Sequence, residues 1–247
     1  MVVSMCPRAC FWLVLVVAVV NSYVFNARSI SRMPRLAAST TSQSIEVAPY
    51  NDIIPFLSEH IQMADQLLFL GSETDLSLQL AKAGYGAERT GFMTVVDSNS
   101  DRIQELEDIA KADSDLSKLL DSNRLSFKSV NLANMPEVCK QSVFDAIVDC
   151  GAIDSLINSG NRDDALKCID HLQDAVRLGN ILVCLSKLDK DTFCGPFDER
   201  FGWVQELDGD PGEISAWYRG KTNIAATKSN FQELGLKMYV YTNADNC

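Results

Sequence analysis

The sequence predicts an α/β domain: a mostly parallel sheet with helices packed on both faces. Short apolar runs recur along the chain and stop at Gly, Asp or Asn. Between them lie stretches whose apolar residues recur every three to four positions. The two kinds of segment alternate, and each crossover between parallel strands needs a helix.

Taken in order, Ile53, Ile54, Phe56, Leu57 and Ile61 give helical spacing over 51–63. Gln66 to Leu70 is a buried strand that stops at Gly71. Leu76 to Ala83 is a helix ending near Gly84, and Phe92 to Val96 a second strand stopped by Asp97. Ile103, Leu106 and Ile109 mark a helix from Asp101 to Ala112. Leu125 to Val130 is a third strand, ending at Asn131, and Phe144 to Val148 a fourth, ending at Asp149-Cys150-Gly151. Asp163 to Arg177 is a helix with Gly179 just beyond it. Ile181 to Leu185 is a fifth strand; Phe231 to Gly235 closes a helix, and Lys237 to Tyr241 is a last strand. Residues 189–223 are less regular, with Gly195-Pro196, Gly209, Asp210-Pro211-Gly212, Trp203 and Trp217, and are expected to form a loop or substrate-facing insertion.

The 247 residues suit one medium domain plus a short extension, and 47% hydrophobic content is enough for a sizeable core. The net charge of −11 combines four arginines and no acid in the first 45 residues with a strongly acidic remainder. Such a domain repels phosphate backbones, so no nucleic-acid partner is expected; a basic protein partner is compatible with it. The cysteines at 139, 150, 168, 184, 194 and 247 are scattered, form no C-x-x-C, and lie apart from His60 and His171. No metal site is expected, and Cys150 and Cys184, inside apolar stretches, suit reduced thiols acting as small hydrophobes.

Residues 1–45 are expected to be a targeting presequence and 46–247 the folded domain. Arg8 precedes the apolar run Phe11 to Val20, which has the length of a signal-peptide core and is short for a membrane span. No stable span is expected after processing. From Phe25 to residue 45 the chain is rich in Ser, Thr, Ala and Arg and has no acid. A signal-like part (1–24) followed by a transit-like part (25–45) that opens on Phe resembles the two-part presequences of algae with complex plastids. A secretory signal or a mitochondrial presequence are the alternatives.

In a sheet of this kind ligands bind beyond the carboxyl ends of the strands. Gly71-Ser72-Glu73-Thr74 therefore forms the first candidate loop, where a glycine allows close backbone approach and the next helix offers free amides. Asp97, followed by Ser98, ends the second strand at the spacing of a carboxylate that accepts both hydroxyls of a ribose. Asp97, Ser98 and Asn99 also fit a helix N-cap.

Leu68-Phe69-Leu70-Gly71, Val96-Asp97, Val130-Asn131-Leu132 and Phe144-Asp145-Ala146-Ile147-Val148-Asp149 follow the motif order of class I S-adenosylmethionine-dependent methyltransferases, which the chain resembles over roughly residues 50–188. Phe144 to Leu156 is more narrowly similar to the Phe-Asp-x-x-x-Asp/Glu-Lys-Gly-Thr-Leu-Asp-Ala-Leu signature of a methyltransferase-like group, some members of which modify protein lysines. The resemblance implies a Rossmann-like, doubly wound fold and S-adenosylmethionine as cofactor. Gly71, Ser72, Glu73 and Thr74 would hold its methionine part, and Asp97 with Ser98 the ribose. Asn131 and Leu132 would face the adenine, and Asp149, Cys150 and Gly151 would line the methyl-transfer side. Asp149 and Asp154 would orient an acceptor amine, for which a helix-start role of Asp154 is the alternative. A protein substrate follows from the same likeness. Three positions depart from the pattern: Glu73 or Thr74 in place of a second glycine, Asn131 in place of an acid, and Cys150 in place of a lysine. They favour the alternative of a catalytically silent binding or scaffold protein. A nicotinamide-dependent oxidoreductase shares the Gly71 and Asp97 cues but lacks a full G-x-G-x-x-G run.

Overall fold

Leu67, Leu68, Phe69 and Leu70 are all buried, and neighbours along the strand serve different cores. Leu67 and Phe69 pack into one hydrophobic cluster, Leu68 and Leu70 into another. Side chains alternate across a strand, so an unbroken apolar run means that both faces are covered. The computed structural model describes residues 53–72, 75–135, 143–209 and 235–244.

The strands are β1 (Gln66–Leu70), β2 (Phe92–Asp97), β3 (Leu125–Ser129), β4 (Phe144–Cys150), β5 (Val176–Ser186), β6 (Trp203–Asp208) and β7 (Lys237–Asn243). The helices are α1 (Ile54–Leu57), α2 (Leu76–Lys82), α3 (Ser100–Ala112), α4 (Ser114–Asp121), α5 (Ala152–Asn158), α6 (Arg162–Ala175) and α7 (Lys190–Asp198). One seven-stranded sheet has the order β3-β2-β1-β4-β5-β7-β6, with β7 antiparallel to both neighbours and the other pairings parallel. Residues of α1 to α4 belong to one cluster (Phe56, Leu76, Leu80, Ile103, Leu106, Leu116) and residues of α5 to α7 to the other (Ile153, Cys168, Leu172, Phe193, Phe197). The expected doubly wound α/β sheet is therefore the observed one.

Several elements differ from their sequence expectation. Among the described residues of the helix expected over 51–63, only the four of α1 are helical. Arg177 is not in a helix: α6 ends at Ala175, and β5 starts at Val176 and runs through Gly179. Arg177 turns instead to Asp145 with an ion pair and to Gln66 Oε1 at 3.0 Å, while the Gln66 amide donates to Asp145 Oδ2 at 2.9 Å. These contacts tie β1, β4 and β5 together at the end of the sheet opposite Gly71. Asp145, the first acid of the 144–156 match, is thus a structural lock.

The largest correction falls on the region expected to be a loop or insertion, whose described part forms α7 and β6. Gly195-Pro196 argues against a helix, yet α7 carries Pro196 inside it. Packing outweighs propensity here. Phe193 stacks on Tyr239 with ring centroids 4.5 Å apart, and Phe197 on Tyr241 at 4.2 Å, so an i, i+4 pair on the helix meets an i, i+2 pair on β7. Residues 210–223, and the helix end expected at 231–234, lie outside the described residues. No described helix is long and apolar enough to cross a membrane.

Candidate functional site

The chain runs outward from β1 through β2 to β3, then returns to place β4 on the other side of β1. The carboxyl ends of β1 and β4 therefore flank the point where the strand order reverses, the usual position of a ligand crevice in such sheets. A cleft of about 270 Å³ lies there, lined by Gly71, Ser72, Asp97, Ser98, Asn99, Leu132, Cys150, Gly151, Ala152, Ser155 and Leu156.

Gly71 adopts φ +95°, and a Cβ on it would lie 2.6 Å from the Cys150 carbonyl oxygen. The close approach this glycine allows is to the end of β4, so it fixes the two sides of the cleft against each other. Gly151 also has positive φ, but a Cβ there would meet nothing within 4 Å. Ser72 is buried, and its Oγ has no hydrogen-bond partner among the described residues. Asp97 Oδ2 accepts the Ser72 amide at 2.6 Å and Oδ1 the Asn99 amide at 2.8 Å. The helix cap is Asn99, whose side chain accepts from the Arg102 amide. Asp97 thus clamps Ser72 to the start of α3; Oδ2 keeps lone-pair capacity, and Oδ1 has only the long 3.5 Å contact of the Ser98 hydroxyl beside its amide bond.

Of the residues expected from sequence, Gly71, Ser72, Asp97, Ser98, Leu132, Cys150 and Gly151 meet in the cleft wall. Glu73 and Thr74 lie outside the described residues. Asn131 is exposed and outside the lining: its Oδ1 accepts the Ala133 amide at 3.0 Å, an Asx turn that ends the β3 segment.

Asp149 and Asp154 are turned into the protein instead of the cleft. Asp149 is fully buried; its Oδ1 accepts the amides of Ala152 at 3.0 Å and Ile153 at 3.2 Å, and its Oδ2 has no partner. It satisfies the free amides that start α5, a helix whose Gly151 N-cap has no side chain. Asp154 Oδ1 accepts from the Ser186 hydroxyl at 2.6 Å and Oδ2 from the Lys187 amide at 2.8 Å. It therefore anchors the end of β5 to α5.

Burial, and then the Asp154 carboxylate, push the Asp149 carboxyl well above its ordinary value of 3.8. The folded protein retains a proton that the unfolded chain releases. This group's contribution to stability is therefore full below about pH 4 and is lost as pH rises toward the raised value. Asp149→Asn keeps an amide-accepting oxygen and cannot ionise. Its melting temperature relative to wild type should increase as pH rises above about 4. A pH-independent difference would mean that Asp149 is ionised in the folded protein.

Cys150, Cys168, Cys184 and Cys194 are buried, and none of them forms a disulfide among the described residues. Desolvation by burial pushes the Cys184 thiol well up, so it is held protonated. Sequence patterning missed Asn99, Ala152, Ser155 and Leu156 in the lining and, behind it, Arg102. The 144–156 match spans all of these except Asn99 and Arg102.

No protein-family profile and no curated protein matches the chain. Solved structures do. The [4+2]-cyclase SpnF is 13% identical, with a TM-score of 0.51 over 78% of this chain and 80% of that one. The geranyl diphosphate C-methyltransferase of Streptomyces coelicolor is 10% identical, with a TM-score of 0.51 over 78% and 79%. A chain of a complex between a methyltransferase activator of Haloferax volcanii and its methyltransferase is 12% identical, with a TM-score of 0.52 over 80% and 91%. The fold is that of the class I methyltransferases. In methyltransferase-fold terms, the cleft described above opens at the carboxyl ends of β1, β2 and β4, and α5 forms its far wall.

Proposed function

We propose that the chain is an S-adenosylmethionine-dependent methyltransferase whose cofactor lies in the β1–β4 cleft. The fold leaves the reaction open, since a cyclase shares it. The observation that carries the reading is Asp97: a carboxylate at the end of β2, in the cleft wall beside Gly71, with acceptor capacity left for a ribose diol. The unpartnered Ser72 Oγ and the open space at Gly151 suit a polar ligand close to the backbone. Leu132 and Leu156 supply apolar wall for a flat base.

When bound, the cofactor supplies a methyl group on a positively charged sulfur. The chain's part is to hold that methyl in line with an acceptor and to exclude water. Gly71 and Ser72 would hold the methionine part and Asp97 the ribose, while Cys150, Gly151, Ala152 and Ser155 shape the wall nearer α5. Asp149 and Asp154 act through the backbone, by fixing the start of α5 and the end of β5.

The acceptor we infer is a protein amine, a lysine side chain. The 144–156 resemblance supports it, as does the net charge of −11, which draws basic partners. Placement in an organelle, the plastid of an alga with complex plastids first, rests on the composition of residues 1–45.

Titration calorimetry tests the cofactor. S-adenosylmethionine and S-adenosylhomocysteine should bind with dissociation constants of about micromolar, and NADH should not bind. Failure of both to bind would replace this reading with that of a silent scaffold. Tritium transfer from the labelled cofactor, followed by hydrolysis to amino acids, tests the acceptor: label in methyl-lysine supports a lysine, and label elsewhere removes it.

A further inference from the structure

The Arg102 guanidinium contacts three residues. Its Nε donates to the Ser72 carbonyl at 2.7 Å, its Nη2 to Asp75 Oδ1 at 2.7 Å, and its Nη1 pairs with Glu105 Oε2 at 2.7 Å. Ser72 and Asp75 bracket the loop between β1 and α2, which here lacks a second glycine. The Ser72 peptide groups are gripped from both sides, with the amide held by Asp97 and the carbonyl by Arg102.

Asp75 occupies the N-cap position of α2 yet makes no side-chain cap bond there. An aspartate in that position ordinarily accepts a backbone amide of its own helix. Here the carboxylate goes to Arg102 instead, so the helix start gives up its cap for a tether to α3. Arg102 and Asp75 are both largely shielded, with side-chain exposures of 21% and 28%. A planar guanidinium, unlike an ammonium, can serve a carbonyl and a carboxylate together in fixed geometry.

We propose that Arg102 is a positioning residue for the cleft, holding Ser72 beside Asp97 and tying it to Asp75 at the start of α2. This rests on the reading of the cleft as a cofactor site. Arg102 stands outside the lining and acts through Ser72 and Asp75. Its loss loosens the loop first and weakens binding as a consequence.

Two measurements on the whole protein test it, with Arg102→Ala, Arg102→Lys and Asp75→Ala. Arg200→Ala serves as the control, because Arg200 pairs with Asp170 on α6, away from the cleft. Hydrogen exchange of ligand-free protein should show the peptide covering residues 71–76 exchanging about tenfold faster in Arg102→Ala and Asp75→Ala, with α6 unchanged. Arg102→Lys should fall between wild type and alanine. Calorimetry with S-adenosylhomocysteine should show an affinity about tenfold weaker in Arg102→Ala and unchanged in Arg200→Ala. Unchanged exchange at 71–76, or binding equal to wild type, would overturn the proposal. If wild type itself does not bind, the cofactor reading falls, and the exchange measurement still decides whether Arg102 holds the loop.

Discussion

Gly71→Ala should destabilise the domain by about 3 kcal/mol or more. Two costs coincide. At φ +95° an alanine pays the left-handed penalty, about 1–2 kcal/mol. Its Cβ would also lie 2.6 Å from the Cys150 carbonyl oxygen and 3.3 Å from the carbonyl carbon. Backbone cannot rotate away as a side-chain tip can. The end of β1 must move off β4, against the Gly71 amide's 3.0 Å bond to the Val96 carbonyl and the β1–β4 pairing that runs to Leu70 and Asp149. Gly151→Ala isolates the first cost, since φ there is +80° with nothing near the added Cβ. It should lose only about 1–2 kcal/mol. Denaturant titration of both variants separates the costs. Equal losses would show that β1 and β4 do not press on each other at Gly71.

The same contact shows how far the sequence could be read. Buried strands announced themselves because both of their faces are covered: Gln66–Leu70 and Phe92–Asp97 stand within a residue of the apolar runs. Elements held by long-range packing did not. Residues 190–198 contain Gly195-Pro196 and become helical because Phe193 and Phe197 find Tyr239 and Tyr241, more than forty positions away. β6 is an edge strand, and its Val204 is exposed, so no apolar run marks it.

In the candidate site, residues that act through the backbone or at a strand end were legible: Gly71, Asp97 and Gly151 all reach the cleft. Direction within a turn was not. Asp149 and Cys150 are neighbours on β4, so they face opposite sides, and sequence order alone does not say which one meets the cleft. The structure gives Cys150 to the lining and Asp149 to the buried start of α5. Arg102 was illegible for another reason. Its partners, Ser72 and Asp75, come from a different loop, and no periodicity links them.

Asp97→Ala should weaken S-adenosylhomocysteine binding by more than about 100-fold, the largest effect expected on ligand affinity. Two hydrogen bonds from ribose hydroxyls to a carboxylate are worth about 1.5–3 kcal/mol each when the acceptor is charged. The variant also frees the Ser72 and Asn99 amides, so some of the loss comes from a loosened loop. A ligand change separates the two. An analogue lacking both ribose hydroxyls removes the direct contacts and leaves the loop intact. Wild type should prefer the natural ligand over this analogue strongly, and Asp97→Ala should bind the two almost alike, the coupling being read as a double-mutant cycle. If the variant keeps the full preference for the hydroxylated ligand, Asp97 does not meet the ribose. Its role would then be confined to clamping Ser72 and Asn99, and the cofactor reading would lose the observation on which it stands.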